Sequence, residues 1–445
     1  MLKERAFSAP GKALLAGGYL VLDPQYRSYV VALSARMHAV VAETKSSGEN
    51  WFMVRIVSAQ FNCDEWNYRV SHSSKYEISE INGRVNPFAE RALEVMVNYC
   101  QPDVQKMVDL VIELFSDAGY HSEGDSLIKR NHFRQFRFHN RTITEVPKTG
   151  LGSSAGLVVV LTASLLYAFR SEFDATSDLD KSTVHNLAQV AHCQAQGKVG
   201  SGFDVAAAVF GSIIYQRFDP KLIENLPTDQ PSIYAQSLRH IIDMQWEFTH
   251  DNITLPRGIR LMMGDVNSGS ETTKLVAKVR AWYESNYPKS LGIYQEINEG
   301  NLRFIDGIEK LSTLSQQDPS RYERLLEAVE SDSNTKEIPE IAQIEAAVNK
   351  IRSNLQVITS ESGADVEPPA QTKLLNSCSN LKGVITGVVP GAGGHDAICL
   401  LLSDGTDIVK QTSNNDTFSC VAWLDLHQEN FGLKEEAPLY YKGLR

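Results

Sequence analysis

Long apolar runs, metal-ligand cysteine spacings, an excess of basic residues and internal repeats are all missing from this chain, and each absence removes a class of function. The most apolar stretch, residues 157–169, is shorter than the roughly 20 residues needed to span a bilayer, so it reads as a core helix and no membrane partner is expected. Six cysteines, at 63, 100, 193, 378, 399 and 420, are scattered and few for the length. They predict reduced, mostly buried thiols and a cytoplasmic protein. Lys3 and Arg5 precede residues 13–16 in the manner of a signal peptide, but Gly17-Gly18 interrupts the apolar core and no small-residue cleavage site follows. With 43 basic against 54 acidic residues the net charge is −11, which argues against a nucleic-acid partner or an anionic membrane surface. Any anionic ligand has to meet a local basic pocket.

What remains is an ordinary globular composition, 42% hydrophobic and 22% charged, over 445 residues. That length exceeds one comfortable core and predicts two domains. Phe7, Leu20-Val21-Leu22 and residues 29–42 and 51–57 read as strands of an opening sheet, with turns at Gly17-Gly18 and Asp23-Pro24. Helical spacing follows over 87–99, 184–196 and 204–210. Prolines and weak patterns over 218–256 mark the break between domains, which sets the first at 1–225 and the second at 226–445. The second half restarts with a strand over 259–266, and a later helix puts Ile341, Ile344, Val348, Ile351 and Leu355 on a core-facing stripe. Two strands, 384–389 and 397–402, then flank a glycine-rich loop at 391–396.

The most informative segment is Glu145-Val146-Pro147-Lys148-Thr149-Gly150-Leu151-Gly152-Ser153-Ser154-Ala155-Gly156, directly ahead of the apolar stretch. Glycines let backbone approach an anion closely, and the first free N–H groups of a helix point at it with the positive dipole end behind them. The segment therefore predicts a phosphate cradle opening a buried helix. Other patterns overlap it. Residues 152–156 fit the G-x-S-x-G hydrolase elbow, with Ser154 as nucleophile and Asp204 and His395 following in the order Ser, Asp, His. An elbow serine ends a buried central strand, however, and residues 140–148 are polar and carry Pro147. Residues 150–155 also fit a dinucleotide fingerprint with Asp174 downstream, and lack the same strand. A Walker A loop is excluded, because no Gly-Lys-Ser or Gly-Lys-Thr follows and Gly11-Lys12 leads into Ala13. A plain helix cap accounts for Ser153 or Ser154 but not for clustered glycines.

Three further segments are weak singly. Ala9-Pro10-Gly11-Lys12 reads as a strand ending in a turn that exposes the lysine ammonium. Residues 197–204 carry Asp204 into an apolar helix, where an acid is favoured by the dipole alone. The loop 391–396 reads equally as a tight turn. Together with 147–155 these segments resemble the GHMP kinases, the family named for galactokinase, homoserine kinase, mevalonate kinase and phosphomevalonate kinase. Pro10-Gly11-Lys12, residues 147–155 and Gly391-Ala392-Gly393-Gly394 match its three motifs in order. Residues 191–206 and 264–272 are similar to the fungal-type branch whose acceptor is phosphomevalonate, and the likeness runs over essentially the whole chain.

That resemblance implies an α+β fold of two domains, the N-terminal one like domain 2 of ribosomal protein S5 and the C-terminal one ferredoxin-like, with the active site between them. It implies ATP as co-substrate, Mg²⁺, and a small-molecule acceptor, (R)-5-phosphomevalonate, converted to the 5-diphosphate on the mevalonate route to isoprenoids and sterols. Mevalonate or another small alcohol is the alternative acceptor, and the assembly is expected to be a monomer or weak oligomer. Phosphoryl transfer has a loose transition state with charge on peripheral oxygens, so positioning and electrostatics supply most of the catalysis. By the resemblance, backbone groups of Gly150, Leu151, Gly152, Ser153, Ser154 and Ala155 hold the ATP phosphates, Lys148 reaches one as a point charge, and Ser154 ligates Mg²⁺ while Ser153 assists or caps the helix.

Asp204 and Lys12 match the family's catalytic aspartate and the lysine paired with it. A phosphate monoester, with a second pKa of about 6, is already largely ionised at neutral pH, so Asp204 is expected to orient Lys12 rather than to abstract a proton. Lys198, Ser201, Ser270, Gly391, Gly393 and Gly394 are expected on the acceptor and its phosphates, joined as candidates by Ser268, Thr272 and Arg84. The basic stretch 129–137 reads first as an exposed hairpin. One departure stands out: relatives that phosphorylate mevalonate carry a Mg²⁺-binding glutamate on the helix before the aspartate. Between Asp180 and Asp204 this chain has no acidic residue and offers His192, Gln194 and Gln196. His185 and His192, seven apart with no third ligand, read as core histidines rather than a zinc site.

Overall fold

Alternating and continuous apolar runs in the first eighty residues give strands. The computed structural model describes residues 3–45, 48–121, 126–147, 149–170, 172–266, 272–331 and 338–444. Its first sheet is built from β1 (Arg5–Ala16), β2 (Ser28–Glu43), β3 (Trp51–Ser58), β4 (Asp64–His72), β5 (Tyr76–Glu80) and β6 (Leu110–Ser116). A separate hairpin, β7 (Ser126–Arg130) and β8 (Gln135–His139), stands off it, and β9 (Ile213–Gln216) and β10 (Thr249–Asn252) extend its edge. The order is β10-β9-β2-β6-β3-β4-β5, with β1 also on β2. β3 and β6 run parallel, and the other pairs are antiparallel.

Helices α1 (Pro87–Cys100), α2 (Ser153–Phe169), α3 (Asp178–Gln196) and α4 (Phe203–Phe210) pack together beside this sheet. The apolar stretch is the pivot. Every residue of α2 from Ala155 to Tyr167 is buried, and the helix touches β1, β2, α1, α3 and α4. A helix apolar on all sides belongs in such a position. Beyond it, α5 (Lys221–Glu224) leads to α6 (Pro231–Asp243), which packs on α1 and α3.

Two local expectations are corrected. Leu20-Val21-Leu22 is not a strand but part of a 3₁₀ turn over Gly18–Leu22, because Gly17 and Gly18 take φ of 138° and 51° and turn the chain out of the sheet. Nor does the first strand end at Pro10-Gly11-Lys12. β1 continues to Ala16, and its register against β2 jumps from Pro10–Arg36 to Gly11–Leu33, so a bulge in β2 absorbs the proline. Lys12 thus lies within a strand, half-buried, instead of on an exposed turn.

The second half begins with β11 (Ile259–Asp265) and a run of helices, α7 (Thr272–Ser285), α8 (Lys289–Gln317), α9 (Pro319–Ser331), α10 (Pro339–Ser362) and α11 (Pro369–Cys378). It closes with β12 (Val384–Val388), β13 (Ala397–Ser403), α12 (Ile408–Thr412) and β14 (Ala422–Leu424). Their antiparallel order, β14-β11-β13-β12, is the ferredoxin-like one. The predicted stripe of α10 is buried and packs along α8. β15 (Lys434–Glu436) then returns to pair with β1, and Tyr441 lodges against His38, Phe115 and Phe136. No helix among the described residues is long and apolar enough to cross a membrane.

Candidate active site

The glycine-rich segment is held in place by its neighbours before it turns into α2. Thr149 donates its hydroxyl to Gly119 O and its N–H to Tyr120 O at 3.2 Å, and Leu151 O accepts from Lys12 N at 3.1 Å. Gly152 is the N-cap residue, left-handed at φ 81°. A Cβ there would be strained and would stand 3.0 Å from Lys12 Cε, so only glycine lets the lysine stem lie over the loop. No side chain caps α2 and its first turn holds no acid. The opening N–H groups are therefore left for a ligand. Ser153 does not cap the helix; it is its first residue.

Helix α4 begins the same way. Gly202, at φ 78°, is its N-cap without a side-chain bond, and Asp204 sits in its first turn, where Asp204 Oδ1 accepts from Val205 N at 3.0 Å. By contrast Asn86 caps α1 and Ser177 caps α3 with their side chains. Both helices that meet at the site start without a side-chain cap.

Lys12 joins them. Its ammonium donates to Gly150 O at 2.9 Å and stands 5.7 Å from the centre of the Phe203 ring. Desolvation holds its pKa below the usual lysine range, partly offset by the charge of Asp204. Asp204 Oδ2 lies 4.0 Å from His192 Nε2, which also contacts Ser154 Oγ at 3.0 Å and Gln196 Nε2 at 3.4 Å. His192 is buried and stacks on Phe88. Lys12, the loop 150–155, His192 and Asp204 thus converge.

This geometry overturns the hydrolase reading. The described residues of 140–151 form no strand, and His395 lies 3.6 Å from Asp365 rather than beside Ser154. His192 does face Ser154, but it meets serine and aspartate with the same nitrogen, whereas a relay needs one nitrogen for each. Asp174 is a turn residue bonded to Thr176.

Lys148, Ser268 and Ser270 lie outside the described residues, as does the side chain of Thr272. Lys198 is exposed and Ser201 half-buried on the loop into α4, where Ser201 O accepts from Tyr215 Oη at 2.8 Å. Gly391 and Gly393 line a small cavity with Leu14, Ala16 and Gly17 at the far end of the strand that carries Lys12. Tyr19 Oη donates to Ala392 O at 2.7 Å, and Gly394 N to Val366 O at 3.2 Å. Arg84 pairs with buried Asp64, and the basic stretch forms the β7–β8 hairpin with Lys129 and Arg130 exposed. His185 is a core histidine, bonded to Asn186 and Gln189. The roles of Tyr19, Gln189, Tyr215 and Arg217 around the loops had no signal in local sequence, since each is placed by tertiary packing; His192 stood out only as one of the residues offered where the relatives carry a glutamate.

A cavity of about 620 Å³ between α10 and α11 is lined by none of these site residues.

Comparison with known proteins follows this geometry. Residues 122–212 match the model of the GHMP kinases N terminal domain. The chain is 43% identical to a phosphomevalonate kinase from Candida albicans, over 99% of this chain and 100% of that one. It is 36% identical to one from Gibberella zeae, over 90% and 88% of the two chains. Among solved structures, a Streptococcus pneumoniae phosphomevalonate kinase in complex with phosphomevalonate and AMPPNP superposes with a TM-score of 0.58 at 17% identity, covering 95% of this chain and 99% of that one, a likeness of fold.

Proposed function

The chain belongs to the phosphomevalonate kinases of the GHMP kinase family, and from that premise we propose how its groups carry out ATP-dependent phosphorylation of (R)-5-phosphomevalonate to (R)-5-diphosphomevalonate. The observation that carries the reading is the convergence of Lys12, the uncapped start of α2 and Asp204. The ATP phosphates lie against the N–H groups of 150–155, with the α2 dipole behind them. Lys12 leaves Gly150 O for a phosphate oxygen and offsets the repulsion between two anionic reactants, while Asp204 holds it in register. Lys148 contributes a further positive charge to the nucleotide.

The donor set fits Mg²⁺. Ser154 Oγ and the Asp204 carboxylate are hard oxygen donors on either side of His192 Nε2. Among the described residues no cluster of three or more His, Cys, Asp or Glu side chains could hold a metal. That suits an ion which keeps several waters and takes other ligands from phosphate oxygens. Bound there, Mg²⁺ would neutralise charge on the transferred group. The acceptor is assigned to the loop carrying Lys198 and Ser201, with Ser270, Gly391, Gly393 and Gly394 as its further contacts. A cytoplasmic location belongs to the same reading, supported by six cysteines that form no disulfide.

The test is a coupled ADP-release assay with ATP and Mg²⁺ against phosphomevalonate, mevalonate, homoserine and galactose. Selective turnover of phosphomevalonate is expected. Preference for mevalonate would move the chain to the alternative acceptor, and nucleotide binding without any ADP would make it a non-catalytic relative.

A further inference from the structure

Four consecutive carbonyls ahead of Asp204 are drawn into the protein by side chains. Val199 O and Gly200 O accept from Arg217 Nη2 at 3.3 and 2.5 Å, Ser201 O from Tyr215 Oη at 2.8 Å, and Gly202 O from Gln189 Nε2 at 2.7 Å. Arg217 Nη1 donates to Leu22 O at the end of the 3₁₀ turn, so one guanidinium ties this loop to the Gly17–Leu22 segment. With its carbonyl oxygens engaged, the loop turns little negative potential toward an approaching anion.

Arg217 differs from the other buried arginines. Arg36 has Glu429 at 3.5 Å and Arg352 has Glu367 at 2.8 Å. Arg217 is 8% exposed, has no carboxylate within ion-pair distance among the described residues, and leaves Nε without a partner. A guanidinium stays charged under these conditions. Burying it without a counter-charge costs free energy that carbonyl dipoles offset only in part. Among the described residues no carboxylate is paired with it directly; Glu224 and Asp23 act on it only through space.

We propose that Arg217 is the positioning residue that fits the 197–204 loop to an anionic acceptor, by withdrawing the Val199 and Gly200 carbonyls and by adding a positive charge without a direct carboxylate partner beneath the loop. A phosphate-bearing acceptor gains from both effects, and a neutral alcohol from neither. The inference rests on reading this loop as the acceptor side of the site.

Arg217→Gln, Arg217→Lys and Tyr215→Phe are compared with the wild-type enzyme for the KM of phosphomevalonate, the KM of ATP and kcat, at two ionic strengths, with thermal melting alongside. Arg217→Gln is expected to raise the phosphomevalonate KM about tenfold or more, the loss of roughly one charge-assisted interaction, with the ATP KM within about twofold. Arg217→Lys restores most of the loss, and Tyr215→Phe, which frees a carbonyl but keeps the charge, raises the KM less. Equal changes in both KM values, a fall in kcat alone, or no rescue by lysine overturns the proposal. If Arg217→Gln does not fold, Arg217→Lys and Tyr215→Phe decide by the same split between the two KM values. Absence of phosphomevalonate turnover in the wild-type enzyme would instead overturn the functional reading before any variant is compared.

Discussion

Lys12 donates its ammonium to Gly150 O at 2.9 Å, reaching from a strand of the first sheet across the mouth of the loop that opens α2. Asp204 acts on that ammonium through space, raising a pKa that burial lowers. In the proposed reading the cation serves the phosphates and the aspartate holds its charge. Because the acceptor phosphate is already ionised, removing the cation should cost more than neutralising the aspartate. Lys12→Ala is expected to lower kcat on the order of 10³-fold, the scale of losing an electrostatic stabiliser of the transition state. Asp204→Asn should lower it about tenfold, below the usual range for losing a general base. The reverse ranking, with both variants folded, would show that Asp204 works as a base.

The same lysine carries a pH signature. Its folded pKa lies below the ordinary 10.5, so between the two values the unfolded chain binds more protons and stability rises with pH. Below the folded pKa the partly desolvated ammonium is a standing cost. Lys12→Met should therefore melt slightly higher at neutral pH while losing activity, since removing a desolvated, incompletely paired charge is commonly stabilising. In the wild-type enzyme the alkaline limb of kcat/KM should lie below the usual lysine range and move upward in kcat, where bound phosphates favour the ammonium. A Lys12→Met protein that melts lower would refute the strain argument.

How far the sequence could be read depended on whether a residue acts through its neighbours in the chain. α2 was legible because glycines and a long apolar run sit side by side, and the stripe of α10 because its period is local. The position of Asp204 at a helix start was legible from the apolar residues that follow it, while its link to Lys12 came only from the family resemblance. The strand through Pro10 was not, since the bulge that tolerates it lies in β2. Leu20-Val21-Leu22 misled because its apolar character reflects burial in a 3₁₀ turn. Arg217 and Gln189 hold the loop before Asp204 from elements whose sequence gives no sign of it, and β15 reaches β1 across more than 400 residues.

Ser154 offers a sharper discrimination. His192 Nε2 is 3.0 Å from its hydroxyl and 4.0 Å from Asp204 Oδ2. His192 faces serine and aspartate with the same nitrogen, so Ser154 lacks the relay in which an aspartate holds the other nitrogen of the base. A fluorophosphonate probe should leave it unlabelled, and labelling at Ser154 would revive the hydrolase reading. If the hydroxyl is a ligand instead, Ser154→Ala should raise the free Mg²⁺ needed for half-maximal rate and lower kcat about 10²-fold, a typical loss for one transition-state contact. Ser153→Ala should shift neither by more than severalfold. An unchanged Mg²⁺ titration in Ser154→Ala would remove it from the metal site.

The loop before Asp204 has a built-in acid limit that runs through His185. This histidine is fully buried, stacked on Phe248, and Gln189 Nε2 contacts both its Nε2, at 3.1 Å, and Gly202 O, at 2.7 Å. Burial pushes its pKa down to about 3 from an ordinary 6.5. Between those values the unfolded state takes up a proton that the folded state refuses, so stability is lost as pH falls through this window. One such proton contributes a slope of about 1.4 kcal/mol per pH unit. His185→Gln, which keeps hydrogen-bonding capacity but does not titrate, should be less stable at pH 7 yet lose that part of the slope when urea unfolding is compared from pH 4.5 to 7. If the variant keeps the full slope, other groups set the acid limit. Protonating His185 would also turn its ring nitrogen from an acceptor into a donor toward the Gln189 amide, and that amide holds Gly202 O at the start of α4. Acid unfolding should therefore open the segment that carries Asp204 early, with amide hydrogen exchange at residues 200–206 rising before that of α2.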